Sequence, residues 1–467
     1  MAYKKKSNEN VVKFAEAAVT SYPHNTNRVL VIDWASLSYH QMYSMKTAKS
    51  KKALGVMPEG DELLRWRNLM FGRVLRYVKL FNPRHIIFAL EGRDGWRKKV
   101  VKDYYSENTV VYYDSKSYYV VSDNYAYIVS VLHRNEETGE ETYNVVKVPM
   151  DKYDMFTSLK HKKLGELPER VQKKLWNIYT ERGVPIIPSY KGTRKHSEWP
   201  FSVDKHEWMA YKDVYATELA PLFRARAVKC NVAEGDDVIY ASVKEYAKTS
   251  NEIIILTRDS DMSQIDHPKV KIFNHITDTF IRCAYPQQYL AAKVLAGDSS
   301  DNINGIAFVN EKTGEYKASK TRAIGEGTAL TLMENCPNIY ETAKRNGWAN
   351  QYMRNRVLID LSMVPDDIKP IIEGAVRMPE PEISGYEKMD EWGISKGRQQ
   401  EFNQMRSFGY YVTVPLDVVE SNPDVFRQDL VIQEEAKAYT PAPNVIDTSA
   451  LTGVFAAPSF SSGFDLM

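Results

Sequence analysis

The sequence predicts an α/β fold built around a mostly parallel β-sheet. Arg28–Asp33 (RVLVID) and His85–Gly92 (HIIFALEG) are short apolar runs, and each of them leads into a carboxylate. Helical spacing of apolar residues at 61–80 separates the two runs. Uninterrupted apolar strands that alternate with helices are typical of parallel sheets buried on both faces.

The same alternation resumes in the second half of the chain. A strand at 227–232 precedes a helix at about 234–248, and two more strands follow at Glu252–Thr257 and 270–274. After the last strand the pattern is helical, with a short hairpin at about 308–319. These elements extend the predicted sheet and add a helical C-terminal region.

The segment between the two halves has a different composition. Residues 107–150 alternate and are rich in Tyr, Val and Ser, which favours antiparallel strands with ordinary β packing. Residues 151–182 are basic and are predicted to be helical. The segment is therefore interpreted as a β-rich insertion. The polar lead-in before residue 28 is predicted to hold one short helix at 10–20.

The length is typical of two or three domains. The predicted order is a basic lead-in at 1–27, an α/β domain at 28–284 with its insertion at about 104–187, a helical domain at 285–429 and a flexible tail at 430–467. The tail is rich in Pro, Ala, Ser and Thr and has few charges.

Composition excludes several classes of protein. Of the 467 residues, 43% are hydrophobic and 26% are charged, which is ordinary for a globular protein, and the net charge is only +2. No stretch reaches the ~20 apolar residues of a membrane span, and the N-terminus lacks the apolar core of a signal peptide. Cys230, Cys283 and Cys336 are too scattered for a disulfide framework or a zinc motif. The predicted compartment is the reducing cytoplasm.

Carboxylates cluster where the predicted strands end. Asp33 and Glu91 end the first two strands, and Asp259 and Asp261 follow the strand Glu252–Thr257. In open parallel sheets these positions meet at one edge, where sites form. Asp259 and Asp261 are two residues apart, so in an extended backbone they share a face.

Two further groups of acids follow. Glu234, Asp236 and Asp237 open a predicted helix, and Asp298 and Asp301 stand three apart in GDSSDN. A single acid at such a place is usually a cap or a turn residue, but capping does not account for the whole set. Converging carboxylates need cations to stay ionised together. An oxygen-only set suits two Mg²⁺ ions, for which Mn²⁺ can substitute, and such a pair promotes phosphoryl transfer to water.

These acids lie in stretches that resemble the 5′-nuclease superfamily of flap endonucleases and 5′→3′ exonucleases, and most closely its bacteriophage T-even ribonuclease H branch. The stretches are VLVIDWASL (29–37), FALEGRDGWRKK (88–99), YKGTR (190–194), AEGDDVIYASV (233–243), IIILTRDSDMSQI (253–265), LAGDSSDNINGI (295–306) and RVLIDLSMVPDDI (356–368).

The resemblance implies a PIN-like nuclease domain with a central mostly parallel sheet and a helical arch, then an α-helical C-terminal domain with a helix-hairpin-helix motif. It implies two metal groups, one of Asp33, Glu91, Glu234, Asp236 and Asp237 and the other of Asp259, Asp261, Asp298 and Asp301. It implies that Lys191, Arg97 and Arg194 are the catalytic cations. It assigns nucleic-acid binding to Tyr190, Lys98, Lys195, Gly325 and Gly327.

Two features depart from the family pattern. Glu91 stands where the family usually has Asp, and its longer side chain reaches further. The basic residues at Trp96-Arg97 and the YKGTR motif are about ninety residues apart rather than a few, because the insertion separates them. Substrate threading is therefore expected to differ.

The resemblance implies a Mg²⁺-dependent structure-specific 5′→3′ exonuclease or flap endonuclease of ribonuclease H type. Its expected substrate is double-stranded DNA or an RNA–DNA hybrid with a 5′ end, nick or flap, and its expected role is RNA primer removal in phage DNA replication. A monomer without membrane contact is expected. The apolar end of the tail, SFSSGFDLM, is a candidate peptide for docking on a sliding clamp, and a single-strand binding protein is a second candidate partner.

Two other classes of function stay open. One is a catalytically silent protein of the same fold that tethers DNA or a clamp, and the intact acids argue against it. The other is a PIN-type endoribonuclease that acts on single-stranded RNA. GDSSDN and the candidate hairpin motif favour duplex binding and argue against this second class.

Overall fold

A computed structural model gives the fold of the chain. It describes residues 13–17, 27–45, 62–122, 125–137, 141–148, 155–181, 183–191, 199, 201–310, 316–323, 327, 329–330, 338–345 and 347–407.

Strands and helices alternate through most of the described chain. The strands are β1 (Lys13–Ala17), β2 (Arg28–Asp33), β3 (His85–Leu90), β4 (Val110–Tyr113), β5 (Ser117–Ser122), β6 (Tyr125–Arg134), β7 (Glu141–Val148), β8 (Lys160–Lys163), β9 (Arg226–Lys229), β10 (Glu252–Leu256), β11 (Val270–Asn274), β12 (Thr279–Cys283), β13 (Gly297–Asp298), β14 (Ile303–Asn304), β15 (Ala307–Asn310) and β16 (Tyr316–Ala323). The α-helices are α1 (Trp34–Ser44), α2 (Glu62–Phe81), α3 (Trp96–Asn108), α4 (Glu169–Trp176), α5 (Lys205–Leu219), α6 (Gly235–Tyr246), α7 (Pro286–Ala296), α8 (Ile339–Arg345), α9 (Ala349–Ile359), α10 (Lys369–Val376), α11 (Lys388–Glu391) and α12 (Lys396–Ser407).

The chain divides into two compact units whose segments interleave along the sequence. The central-sheet unit comprises Lys13–Arg93, Trp199–Arg282 and Val364–Met467. The inserted-sheet unit comprises Met1–Val12, Asp94–Glu198 and Cys283–Met363. The domain ranges expected from the sequence, 28–284 and 285–429, stay a prediction.

The central-sheet unit is built on a seven-stranded sheet with the order β1-β12-β11-β10-β2-β3-β9. The five strands from β11 to β9 are parallel to one another, and β12 runs antiparallel to β11. The predicted mostly parallel α/β sheet is therefore confirmed. In the register Ile32 lies opposite Leu256, and Asp33 lies opposite Ala89. The carboxyl ends of the parallel strands thus reach one edge together.

Aromatic packing fixes the first turn of α1 against this sheet. Trp34, directly after Asp33, is fully buried and stacks on Phe88 with ring centroids 4.9 Å apart. Its indole N–H donates a 2.8 Å hydrogen bond to the carbonyl of Lys212 in α5. Because a buried aromatic with a satisfied N–H has one favourable orientation, the end of β2 is held in place.

Helices from the far end of the chain complete the central-sheet unit. Helix α10 packs on α6, and α12 packs on α2. Phe402 of α12 is fully buried, with its ring centroid 5.7 Å from Phe71 and 5.3 Å from Phe223.

The inserted-sheet unit has its own five-stranded antiparallel sheet, in the order β7-β6-β5-β4-β8. Val111, Val120 and Val129 lie on one face of it and are fully buried. On the other face Tyr112 and Tyr119 are only partly buried, beside Phe156. The predicted antiparallel strands in this segment are confirmed.

A buried arginine ties together the helices of the inserted-sheet unit. Arg354 in α9 donates to the Tyr105 hydroxyl at 3.1 Å and to the Asn304 carbonyl at 3.1 Å. Asn355 donates to the carbonyls of Val294 and Asn304 at 2.9 and 2.8 Å. These bonds join α3, α7, β14 and α9 into one packed group.

Two secondary-structure predictions are wrong. Lys13–Ala17 is an edge strand of the central sheet rather than part of a helix, because sheet pairing with β12 overrides helical propensity. Within 151–182, Lys160–Lys163 is a strand paired with β4, and only Glu169–Trp176 is α-helical. The predicted hairpin at 308–319 is confirmed as β15–β16.

Other predictions fall outside the described residues. They concern the tail at 430–467, most of the hairpin motif at Ala323–Leu332, and the lead-in apart from β1. Among the helices that are described, none is both long enough and apolar enough to cross a membrane.

Candidate active site

Asp33 lies at the centre of the acidic edge of the central sheet. It ends β2 and caps α1, where its Oδ1 accepts a 2.9 Å hydrogen bond from the backbone N–H of Ser36. Its Oδ2 accepts a 2.7 Å bond from the hydroxyl of Thr257. The side chain is therefore oriented by two donors, one in the first turn of α1 and one directly after β10.

The pKa of Asp33 is raised from 3.8 to about 6. Burial is the main cause, and the negative charges of Glu91 and Asp259 raise the pKa further. The hydrogen bonds from Ser36 and Thr257 lower it in part. Three predicted carboxylates, from the ends of three parallel strands, therefore act on one another electrostatically.

Glu91 follows β3 and accepts a 3.1 Å hydrogen bond at its Oε2 from the N–H of Gly235. The next residue, Gly92, donates to the carbonyl of Ala233 at 3.0 Å. A Cβ on Gly92 would lie 2.1 Å from the Cys230 carbonyl oxygen and 2.3 Å from that of Ala233. Only glycine permits this close approach, which sets Glu91 against the start of α6.

The acids at the start of α6 include a structural pair. Glu234 is the N-cap, and its N–H donates to Oδ2 of Asp237 at 3.0 Å in a capping box. Both are buried, with 6% and 1% exposure. Asp236 lies in the same first turn and is half-buried. Capping thus accounts for part of the acidic content here.

Asp259 has extended backbone, but Asp261 already lies in the short 3₁₀ helix that follows, so the predicted shared strand face is wrong. Asp259 caps the short 3₁₀ helix Ser260–Gln264, and its Oδ1 accepts a 2.9 Å bond from the N–H of Asp261. The strand ends at Leu256, and a side chain at Asp259 that can cap a helix favours the turn.

Sequence reasoning missed three residues that position Asp33. Thr257 is fully buried, donates to Asp33 and accepts a 2.9 Å bond from the N–H of Asp259. The hydroxyl of Ser36 lies 2.9 Å from Nε2 of His275. Burial, with the nearby charges of His40 and Arg258, lowers the pKa of His275 to about 3, so this ring is neutral at pH 7. Their positions just after strand ends were the available signal.

The inserted-sheet unit brings two other predicted motifs together. The Tyr190 hydroxyl donates to Oδ2 of Asp301 at 3.0 Å, and the N–H of Lys191 donates to the Asp301 carbonyl at 2.8 Å. The Lys191 ammonium lies 5.0 Å from the Tyr190 ring centroid. These hydrogen bonds therefore connect the start of the YKGTR segment to the GDSSDN turn. Lys191 has a left-handed φ of 58°, which these bonds hold.

Asp298 lies in the same turn and is ionised. Burial opposes its charge, but the Lys293 ammonium at 2.8 Å and the hydrogen bonds from Ser300 outweigh burial and lower its pKa to about 2. Its negative charge is thus already neutralised by a lysine of the same unit.

The other predicted cations are placed differently. Arg97 is 2% exposed, lies over the Trp96 ring at 4.3 Å and donates to the Leu358 carbonyl at 3.0 Å. Its contact with a phosphate stays a prediction. Lys98 is exposed on α3, and Gly327 has helical backbone. The predicted site residues Arg194, Lys195 and Gly325 lie outside the described residues.

The donor chemistry suits a hard divalent cation, although the carboxylates are not gathered into a cage. Within the described ranges, no group of three or more His, Cys, Asp or Glu side chains has metal-binding geometry. The acidic edge nevertheless presents oxygen donors, and a bound cation would relieve the repulsion that Glu91 and Asp259 add to the effect of burial at Asp33.

Comparison with known proteins finds flap endonucleases among the sequence relatives. No family model matches the chain. The flap endonuclease Xni of Shewanella sp. (strain W3-18-1) is 29% identical over 163 residues, which are 33% of this chain and 56% of the relative. The Xni protein of Shewanella oneidensis is 30% identical over 115 residues, 23% of this chain and 42% of the relative. The chain spans about half the length of the relatives it matches.

Two solved structures are also similar. The T5 D15 protein co-crystallised with metal ions has a TM-score of 0.41 and 12% identity, covering 80% of this chain and 99% of that one. The T5 5′-exonuclease with bound zinc has a TM-score of 0.40 and 12% identity, covering 75% and 98%. The predicted resemblance to flap endonucleases is confirmed by the sequence relatives, and the closer likeness to T-even ribonuclease H stays a prediction.

Proposed function

We propose that this chain, which its sequence relatives link to the 5′-nuclease superfamily, is a Mg²⁺-dependent structure-specific 5′→3′ exonuclease or flap endonuclease. The observation that carries the proposal is the acidic edge, where Asp33, Glu91 and Asp259 follow the ends of parallel strands. The charges of Glu91 and Asp259 add to the effect of burial on the pKa of Asp33. Carboxylates brought together in this way are typical of a cation site.

The residues that would hold the cations form two sets, one in each compact unit. In the central-sheet unit they are Asp33, Glu91, Glu234, Asp236, Asp237, Asp259 and Asp261, and in the inserted-sheet unit Asp298 and Asp301. Bound Mg²⁺ ions supply Lewis-acid activation of water and neutralise charge on the phosphate. Thr257 and Ser36 hold the orientation of Asp33 for this purpose.

The cationic side chains stabilise charge on the substrate. Lys191 offers an ammonium to the scissile phosphate, because its backbone is fixed by Asp301 while its side chain is only partly buried. Tyr190 holds its ring beside that ammonium. Stacking of a base on this ring is part of the proposal, and it requires Tyr190, which is 8% exposed, to move. Arg97 and Arg194 are the further cations of this proposal.

The proposed substrates are 5′ ends, nicks and flaps of DNA duplexes and RNA–DNA hybrids. Removal of RNA primers during phage DNA replication, as by ribonuclease H, is the proposed role. A sliding clamp that docks the tail and a single-strand binding protein are proposed partners. The flap endonuclease relatives and the order of the seven matching motifs support this reading.

The experiment compares cleavage of labelled nicked, 5′-flap and RNA-primed duplexes by the wild type and by Asp259→Asn, with Mg²⁺ and with EDTA. Asp266→Asn is the matched control, because Asp266 is an exposed acid a few residues away. We expect short 5′ products from the wild type and the control only with metal, and binding without cleavage by Asp259→Asn. If the wild type binds these substrates but does not cleave them, the protein is instead a catalytically silent tethering protein. If it cleaves plain single-stranded RNA, the alternative of a PIN-type endoribonuclease is favoured.

A further inference from the structure

The inserted sheet ends in a strand made entirely of basic residues. Strand β8 reads Lys160-His161-Lys162-Lys163, lies outermost in the sheet and pairs only with β4. All four side chains are exposed. Lysines on an edge strand also prevent edge-to-edge aggregation, so a ligand needs further observations.

The first observation is the segregation of charge across the sheet. At the opposite edge, Glu141 of β7 binds the Lys174 ammonium at 2.5 Å, and Glu136 and Glu137 lie at the end of the β6 strand. Along β8 the situation differs: in the described part of the chain, no carboxylate lies within 4 Å of the ammonium groups of its three lysines. Glu166, three residues after β8, accepts a 3.1 Å hydrogen bond from the N–H of Lys163, so one carboxylate lies near three ammonium groups and the net charge of this edge stays positive.

The second observation is an aromatic surface next to these charges. The alternation of β8 places His161 and Lys163 on the face of the sheet that carries Tyr112, and the ring centroids of His161 and Tyr112 lie 5.2 Å apart. Lys160 and Lys162 lie on the other face. Tyr119, opposite Tyr112 on β5, lies 4.6 Å from Phe156. Tyr112 and Tyr119 keep part of their surface exposed. Lysines beside accessible rings are the usual surface for single-stranded nucleic acid.

The third observation is continuity with α3. This helix packs on β8, and the chain after β8 presses against its end, where a Cβ on Gly165 would lie 3.2 Å from the Ser106 carbonyl oxygen. Helix α3 exposes Lys98, Lys99 and Lys102. It also begins five residues after Glu91 in the chain. The helix that packs on β8 therefore carries further exposed lysines, and it follows an acid of the proposed active site in the chain.

We propose that β8 and the exposed lysines of α3 bind the phosphate backbone of the single-stranded 5′ flap, with its bases against Tyr112 and Tyr119. This inference rests on the proposed nuclease function, and it identifies the surface that would bind the single-stranded flap of the substrate. The occupant is single-stranded nucleic acid rather than an acidic protein, because the surface combines cations with flat rings.

The test uses the full chain and the double variant K162Q/K163Q, which includes the lysine on the face that carries Tyr112. The matched control is K116Q/K147Q, which removes the same charge from exposed lysines elsewhere on the same sheet. Fluorescence anisotropy in EDTA measures binding of two substrates. One is a duplex with a 5′ flap of about 20 thymidines, a flap longer than typical single-strand binding sites, and the other is the same duplex with a nick and no flap. Titrations between about 50 and 200 mM salt give the salt dependence.

We expect K162Q/K163Q to weaken binding of the flap substrate about tenfold and to leave the nicked duplex unchanged. The slope of log affinity against log salt should fall by about 1.4, since each lost contact to a single strand contributes about 0.7. Equal weakening of both substrates, equal loss in the control, or no change overturns the proposal. Because binding is measured without metal, absence of cleavage by the wild type would refute the nuclease function separately.

Discussion

The Thr257 hydroxyl donates a 2.7 Å hydrogen bond to Oδ2 of Asp33 and accepts a 2.9 Å bond from the N–H of Asp259. One buried oxygen therefore joins the ends of β2 and β10, because it orients the carboxylate of Asp33 and holds the backbone of Asp259. Side chains in this position usually determine how well ligands are pre-oriented for a metal.

Replacing Thr257 by Val should weaken binding of Mn²⁺ about tenfold, because Asp33 loses its donor and the Asp259 N–H loses its acceptor. Isothermal titration calorimetry measures the affinity. Thr257→Ser is the control, since it retains the hydroxyl, and should stay within about twofold of the wild type. Equal affinities for the Val and Ser variants would contradict the role of the hydroxyl.

Lys191→Ala should lower kcat for flap cleavage by about 10²- to 10³-fold, with little change in the affinity for substrate, if the ammonium acts on charge in the transition state. Single-turnover cleavage and anisotropy separate the two quantities. Lys116→Ala, on an exposed turn of the same unit, should cleave normally. A Lys191 variant that binds weakly but cleaves at the normal rate at saturation would assign this residue to binding alone.

Gly92→Ala should reduce the free energy of unfolding by about 3 kcal/mol, because its Cβ would collide with the backbone carbonyls of Cys230 and Ala233. Urea titration checks this. Gly374→Ala is the matched control: it lies in α10 with open space around its Cβ, and should gain about 0.5–1 kcal/mol from helix propensity. A Gly92→Ala protein of normal stability would show that the loop before α6 can move.

Glu380 should contribute stability that depends on pH. Burial opposes its charge, but His85 Nδ1 at 2.5 Å, Arg226 at 3.2 Å and Arg224 at 3.4 Å outweigh burial and lower the pKa of Glu380. Because the folded-state pKa lies below the unfolded value, this stability is present above about pH 4.5 and is lost as the pH falls below it.

Thermal unfolding of Glu380→Gln across pH tests this expectation. At pH 7 the variant should lose about 2 kcal/mol, and the difference from the wild type should shrink below about pH 4.5. Glu382→Gln, an exposed neighbour, should be neutral throughout. A constant difference at every pH would mean that the carboxylate charge is not what stabilises the fold.

The acidic edge could be predicted because parallel order alone sends Asp33, Glu91 and Asp259 to one side of a sheet. The local geometry of Asp259 and Asp261 could not, since an acid that can cap a turn competes with strand extension. The role of His275 could not be predicted either, because it arises from contact with Ser36, 239 residues away in sequence. Strand β8 could not be predicted for a similar reason. Lysine is unfavourable in strands, and KHKK becomes a strand only through its pairing with β4.

The interleaving of the two units has a consequence for folding during synthesis. Strands β2 and β3 emerge from the ribosome early, but the parallel partners β9, β10 and β11 follow more than 130 residues later, and α10 and α12 come later still. The apolar strand RVLVID therefore stays exposed until its partner strands have been synthesised. Folding is expected to be slow, because pairing between strands far apart in sequence gives a high contact order. Chaperone binding to the nascent chain should be strongest in that interval, and it should end once β10 can enter between β2 and β11.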